Sequence, residues 1–333
     1  MPAHPVSAPG RVMWQSARVS SSPTVVSVIN YKGGVGKTTL TANLGAELAA
    51  RGQKVLLIDF DPQTSLTLSF YRPVEWATEL RERLTLKNWF DALDGEGSCE
   101  LAHLIVTPER ANALVGQGGR LDLIASHFEL IQTDMQLAGM LLRAEGVRQL
   151  QRRDVEVHTA LAKALRDPVF AEYDLILIDC PPNFNIATRI AMVASNHAII
   201  PARADYLSTI GIDYLIGSYR RLIQNYNETV ALLDGEDRAG IIDPRLLGVV
   251  FTMVQFSGAR PFRAQENNMV MVRQAHPVFT SVMRYNNSLY GDAGEGGVPV
   301  ALMNSLHPDV ATDLDQLATE FIKRLSNDEG VEI

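Results

Sequence analysis

The chain has 333 residues, of which 46% are hydrophobic, a formal net charge of −8 and two cysteines. That content fills a sizeable core, two cysteines make no disulfide framework, and the acidic balance excludes general polyanion affinity while leaving room for a local basic patch. No apolar run approaches the roughly 18 residues that span a bilayer, so the expectation is a soluble, cytoplasmic α/β protein.

Residues 1–23, rich in Pro, Ala and Ser and without an apolar signal core, read as a flexible tail. VVSVINY (Val25–Tyr31) is β-branched without polar alternation, as expected of a strand buried on both faces. A helix follows from about Lys37 to Arg51, its apolar face formed by Leu40, Leu44, Ala46 and Leu48, and Gly52 closes it. KVLLIDFD (Lys54–Asp61) is a second buried strand that ends in two carboxylates. The stretch at about 70–120 reads as a variable segment, polar and helical in patches. LDLIAS (Leu121–Ser126) predicts the third strand, and helices follow at about His127–Arg143 and Val155–Leu165. Further strands are predicted at YDLILIDCPP (Tyr173–Pro182), HAIIPA (His197–Ala202), LLGVVFTMV (Leu246–Val254) and VFTSVMR (Val278–Arg284). A long helix at about Leu207–Asn225 and an amphipathic one at Asp309–Leu325 complete the order, with 327–333 as a C-terminal tail. Strands alternating with helices predict one α/β domain over 24–326, a doubly wound, mostly parallel sheet flanked by helices. Ligands of such sheets bind beyond the carboxyl ends of the strands.

The chemistry collects at those ends. KGGVGKTT (Lys32–Thr39) lies between the first strand and the first helix. Gly33, Gly34 and Gly36, with Val35 among them, let backbone N–H groups wrap anionic oxygens without Cβ clashes. Lys37 supplies charge for β- and γ-phosphates and Thr38 a hydroxyl for Mg²⁺, while Thr39 continues a helix whose dipole favours an anion. An ordinary glycine-rich turn is the plain alternative, which the strand–loop–helix setting disfavours. The usual pattern has a glycine where this chain has Tyr31. Asp59 and Asp61, two apart at a strand end, are expected on one face. Asp61 is the candidate to orient an attacking water, and Asp59 a structural residue or a partner of Mg²⁺ through water. Asp179, after four apolar residues, is the candidate to hold Mg²⁺ through water.

With Lys32 ahead of the glycines, KGGVGKTT resembles the deviant P-loop of the ParA/MinD-like ATPases, LLIDFDPQ their second motif and LILIDCPP their Walker-B strand. The resemblance is strongest to the partition proteins ParA and Soj and extends over most of Val25–Leu325. It implies ATP and Mg²⁺ as cofactors and a weak, partner-stimulated ATPase. It further implies a homodimer with ATP sandwiched between subunits, Lys32 contacting the partner's nucleotide, and Lys32, Lys37 and Asp61 as the catalytic set. Partition relatives bind DNA non-specifically through arginines of the last third, for which Arg260, Arg263, Arg273 and Arg284 are candidates, and a ParB-type protein releases them. Backbone near Thr252–Val254 and Arg284 is the candidate adenine contact.

Asn183-Phe184-Asn185 departs from the family's Ser-Leu-Gly, and Asn287 stands near the place of its second arginine. The acidic last helix argues against membrane attachment. The cysteines do not pair for an iron–sulfur cluster, and no motif marks a second substrate pocket. A nucleotide-gated protein-docking factor without DNA binding is the alternative function.

Overall fold

Strands that are apolar on both faces need cover on both, and the chain supplies it with helices on either side of one sheet. The computed structural model describes residues 22–95, 97–233, 240–303, 307–327 and 330–333; the expected N-terminal tail falls outside these apart from its last two residues. In chain order the strands are β1 (Thr24–Val28), β2 (Lys54–Asp59), β3 (Ile105–Val106), β4 (Arg120–Ile124), β5 (Leu175–Asp179), β6 (His197–Arg203), β7 (Arg245–Thr252), β8 (Phe256–Ser257), β9 (Arg260–Pro261) and β10 (Val331–Glu332). Strands β8 and β9 form a separate ribbon. The other eight make one sheet in the order β10-β7-β6-β1-β5-β2-β4-β3, parallel except for the short edge strands β3 and β10.

Register places the site. In the ladders of β5, Val28 and Asp59 both lie opposite Asp179, so β1, β2 and β5 finish level with one another. Whatever follows these three strands must meet above their ends. One face of the sheet is covered by helix Lys37–Ala50 and helix Pro308–Ser326 through Leu40, Leu44, Leu317 and Phe321; the other carries Trp89, Phe170, Ile190, Ile212 and Tyr219.

The stretch at 70–120 is helical in patches, as expected, and also buries Phe70, Trp76, Leu86, Trp89 and Phe90 and contributes β3. Two expectations change. The tail at 327–333 returns to the sheet as β10, where Val331 pairs with Leu246. Val278–Arg284 is not a regular strand. It makes two isolated bridges, Val278 with Val249 of β7 and Arg284 with Val254 just beyond that strand. Between them the Glu320 carboxylate accepts the N–H groups of Thr280 (2.9 Å) and Ser281 (2.8 Å), drawing the backbone away from the ladder.

The two helices on the first face are joined by a buried guanidinium. Arg51, 1% exposed, donates to Glu47 at 3.0 Å, to Thr319 at 2.9 Å and to the Asp315 carboxylate at 2.7 Å. Removing one member of a buried ion pair costs about 3–5 kcal/mol. Arg51→Ala is therefore expected to lower stability by about 3 kcal/mol, read as a fall in the urea midpoint followed by circular dichroism. An unchanged midpoint would refute the assignment.

Candidate nucleotide site

The glycine loop leaves β1 through Asn30, whose Nδ2 donates to the Pro201 carbonyl (2.7 Å) and whose Oδ1 accepts from the Lys32 N–H (2.9 Å). Gly34 and Gly36 have φ of 67° and 79°, the left-handed region that a side chain disfavours. Thr252, at the end of β7, holds the loop from the other side: its Oγ1 donates to the Val35 carbonyl at 2.7 Å. A Cβ on Gly36 would meet it at 3.4 Å. No side chain caps the N-terminus of helix Lys37–Ala50 and no acid stands in its first turn. Its leading amides are thus a seat for an anion.

Lys37 is 6% exposed and donates to the Lys32 carbonyl at 3.2 Å. Burial lowers its pKa, against which the charges of Asp179 and Asp61 act. Thr38 Oγ1 donates to Asp179 Oδ2 at 2.7 Å. Thr41 Oγ1 lies 3.5 Å from Asp179 Oδ1. Burial pushes the Asp179 carboxyl up to about 7, with Asp61 adding to the shift and Thr38 and Lys37 opposing it. A hydroxyl in contact with a buried carboxylate, beside an uncapped helix start, suits Mg²⁺ and the phosphates it accompanies.

Asp59 and Asp61 do not share a strand face, because β2 ends at Asp59. Asp59 Oδ1 accepts the Asp61 N–H (3.2 Å), and Oδ2 accepts both the N–H (2.8 Å) and the hydroxyl (2.7 Å) of Thr67. Both oxygens accept bonds from residues 61 and 67, so Asp59 fastens the turn that carries Asp61. Burial, with Asp179 nearby, raises its pKa well above the usual carboxylate range. Asp61 is close enough to act on Lys37 and Asp179. Its Oδ1 accepts the Gln63 N–H (2.9 Å), and its carbonyl accepts from Ser126 (2.7 Å) at the end of β4.

Lys32 points away from its own cradle. Its Nζ lies 3.0 Å from Asp205 Oδ1 and 3.0 Å from Ser208 Oγ, at the start of helix Tyr206–Leu232. Sequence reasoning missed Asp205 as a partner of Lys32. Asp205 followed three residues later by Ser208 reads as a helix start and caps one (2.9 Å to the Ser208 N–H), but nothing local says that a lysine from residue 32 comes to it. The holds of Thr252 on the Val35 carbonyl and of Thr67 on Asp59 were missed for the same reason.

Arg284 is partnered within the fold. Its guanidinium is bound by Asp313 (2.6 Å) and Asp309 (2.5 Å) and lies 4.8 Å over the Phe256 ring, so its charge is satisfied inside the fold. With Thr252, Met253, Tyr285 and Tyr290 it lines a cavity against Gly36 and Thr39. Met253 holds φ of 53° there. Arg260, Arg263 and Arg273, on the ribbon and on helix Arg263–Ala275, are exposed. Among the described residues none of the three has an ion-pair partner. Asn185 caps helix Ile186–Val193 (3.0 Å to the Thr188 N–H), and Phe184 packs on Tyr31.

A raised Asp179 pKa means that the neutral acid persists as pH falls towards 7 and below, whereas Mg²⁺ needs the carboxylate. Affinity for the Mg²⁺–nucleotide complex is therefore expected to weaken as pH drops below about 7, and binding there to expel a proton. Calorimetry in two buffers of different ionisation enthalpy measures this release, and Asp179→Asn should abolish it.

A family model described as an AAA domain matches residues 23–232. The chain is 31% identical over 238 residues to the chromosome partitioning protein ParA of Caulobacter vibrioides, covering 71% of this chain and 72% of that one. It is 28% identical over 297 residues to the chromosome-partitioning ATPase Soj of Treponema pallidum, 89% and 96% of the two chains. Among solved structures, an ATP complex of McdA from Cyanothece superposes with a TM-score of 0.66 at 17% identity, over 91% of this chain and 97% of that one. The chain belongs to the ParA/MinD-like family of deviant Walker-A P-loop ATPases.

Proposed function

We propose that the protein is an ATP-dependent dimerising switch of the partition type, an ATPase that binds DNA non-specifically and segregates DNA or positions a cargo. The observation that carries this reading is the division of labour between two lysines of one loop. Lys37 is buried in the cradle of its own chain, whereas Lys32 turns outwards to Asp205 and Ser208. Both partners of the Lys32–Asp205 pair are more than a third exposed. Such pairs contribute about 0–1 kcal/mol, so Lys32 can exchange Asp205 for the phosphates of a nucleotide in a second subunit at little cost.

In this reading the amides of Gly33–Gly36 and the helix start hold the phosphates, and Lys37 neutralises the β- and γ-oxygens. Thr38 and Asp179 would hold Mg²⁺, which supplies further charge neutralisation when bound. Asp61, fixed by the Asp59–Thr67 clamp, orients water for hydrolysis. Exposed Arg260, Arg263 and Arg273 give a set of phosphate contacts; Arg284 drops out of that set. The partition roles named for the ParA and Soj relatives support the reading, as does the nucleotide bound to McdA.

Lys37→Ala should abolish binding of a fluorescent ATP analogue. Lys32→Ala should retain it and lose the ATP-dependent dimer in light scattering, and a dimer that survives would exclude the sandwich. Asp61→Ala should keep the dimer and lower turnover by about 10²-fold or more.

With ATP and Mg²⁺, retention on duplex DNA of arbitrary sequence should fall with salt with a log–log slope of about −0.9 per phosphate contacted. Arg260→Ala, Arg263→Ala and Arg273→Ala should each flatten that slope, whereas Arg284→Ala should not. No retention at low salt would favour the protein-docking alternative.

A further inference from the structure

A groove separate from the nucleotide cradle runs along helix Tyr206–Leu232 from Tyr214 to Thr229 and holds about 450 Å³. At 1.5 Å per residue that stretch is about 22 Å long. Its other wall comes from helix Val147–His158, from Arg189 and from Phe184. A volume of this size spread over such a length suits an extended chain of about seven residues better than a compact metabolite.

One end is aromatic and cationic. Tyr31 packs on Phe184 and on Tyr214, with centroids 5.6 and 5.4 Å apart. The Arg189 guanidinium lies 5.4 Å over Phe184, and Arg221 is held to Ser218 at 2.9 Å. Both arginines line the groove at this end, together with Tyr31, Phe184 and Tyr214.

Towards the other end stands His158, 4% exposed. Its Nδ1 lies 2.8 Å from the Asp154 carbonyl, and to bond a carbonyl that nitrogen carries the proton. In the neutral ring Nε2 is then an acceptor, and it is buried without a partner. Buried polar atoms in folded proteins normally find partners, so an unmet one lining a groove marks a place for a donor.

We propose that this groove docks an extended segment of a partner protein, with an acidic side chain between Arg189 and Arg221 and an N–H on His158 Nε2. Residues 1–21 and 327–333 do not qualify. Residues 1–21 contain no Asp or Glu, and the acidic 327–333 is fastened to β7 through Val331. The groove also touches the nucleotide machinery. Tyr31 precedes Lys32, and Phe184 follows the Asp179 strand, so the chain's two departures from the usual motifs meet in this ring cluster. On the function proposed above, occupancy and the ATP cycle are coupled, each altering the affinity for the other.

The test uses fluorescein-labelled heptapeptides of Ala and Ser that carry one Leu and one Glu at every pair of positions, with a matching series in which Lys replaces Glu. They are titrated against the full chain by anisotropy. At least one Glu register should bind saturably and its Lys counterpart should not. Arg221→Glu should weaken that binding at least tenfold while leaving binding of a fluorescent ATP analogue unchanged, and His158→Phe should weaken it several-fold.

Glu peptides that bind no better than Lys peptides overturn the proposal, as does binding that both variants leave intact. Nucleotide-independent self-association lost in Arg221→Glu also overturns it, assigning the groove to a second copy of the chain. Lys37→Ala separates the two readings. Peptide binding should persist there whatever becomes of the ATPase reading.

Discussion

The Asp179 carboxylate has no access to water, yet it is the point through which the site is assembled. It lies between the ends of β1 and β2 in the sheet ladders and accepts from Thr38 on the first helix. A buried carboxylate is unfavourable unless it is neutral or bonded. Here Thr38, the Lys37 charge and Thr41 offset its desolvation only in part, so its pKa is raised. The same deficit makes it a receptive place for a cation. Stability of the folded chain and readiness for a metal are thus opposed at one residue, as is common where a site is built to bind something.

Around that point the fold uses clamps on its loops. Asn30, Thr252 and Thr67 each fasten a loop by side-chain bonds to backbone or by backbone bonds to a side chain. They hold the glycine loop from β6 and β7 and hold Asp61 from β2. Asp59 belongs with them. Its position two residues before Asp61 invites a paired-carboxylate reading, but the strand ends between the two and the alternation that would align them stops there.

Lys32 and Tyr31 show how one irregular loop faces two ways. Lys32 is tied to the first turn of helix Tyr206–Leu232 by an exposed ion pair, weak enough to be exchanged. Tyr31 rests on the side of the same helix through Tyr214. A single helix is therefore in contact with the lysine that marks this family and with the ring cluster at the end of the groove. Movement of that helix would be felt at both, which gives a physical route between partner docking and nucleotide without a specialised relay.

Most of the sheet and the whole glycine loop were legible in the amino-acid order, because both rest on local rules. Apolar runs without alternation make buried strands, and left-handed turns at Gly34 and Gly36 demand glycine. Where competition between distant groups decided the outcome, local reading failed. Glu320 took the amides of Thr280 and Ser281 and unmade an expected strand, and Asp309 and Asp313 took Arg284 from the set of free arginines. Residues 331–333 read as a tail because β10 is too short to carry a pattern of its own. The sequence by itself therefore determined the nucleotide cradle, since its chemistry is carried by consecutive residues from Lys32 to Thr39. Only the tertiary structure decided which carboxylate meets which cation, and it alone created the groove from Tyr31, His158, Arg189 and Arg221. Ion pairs and grooves are made between elements far apart in the chain, and no spacing along the chain encodes them.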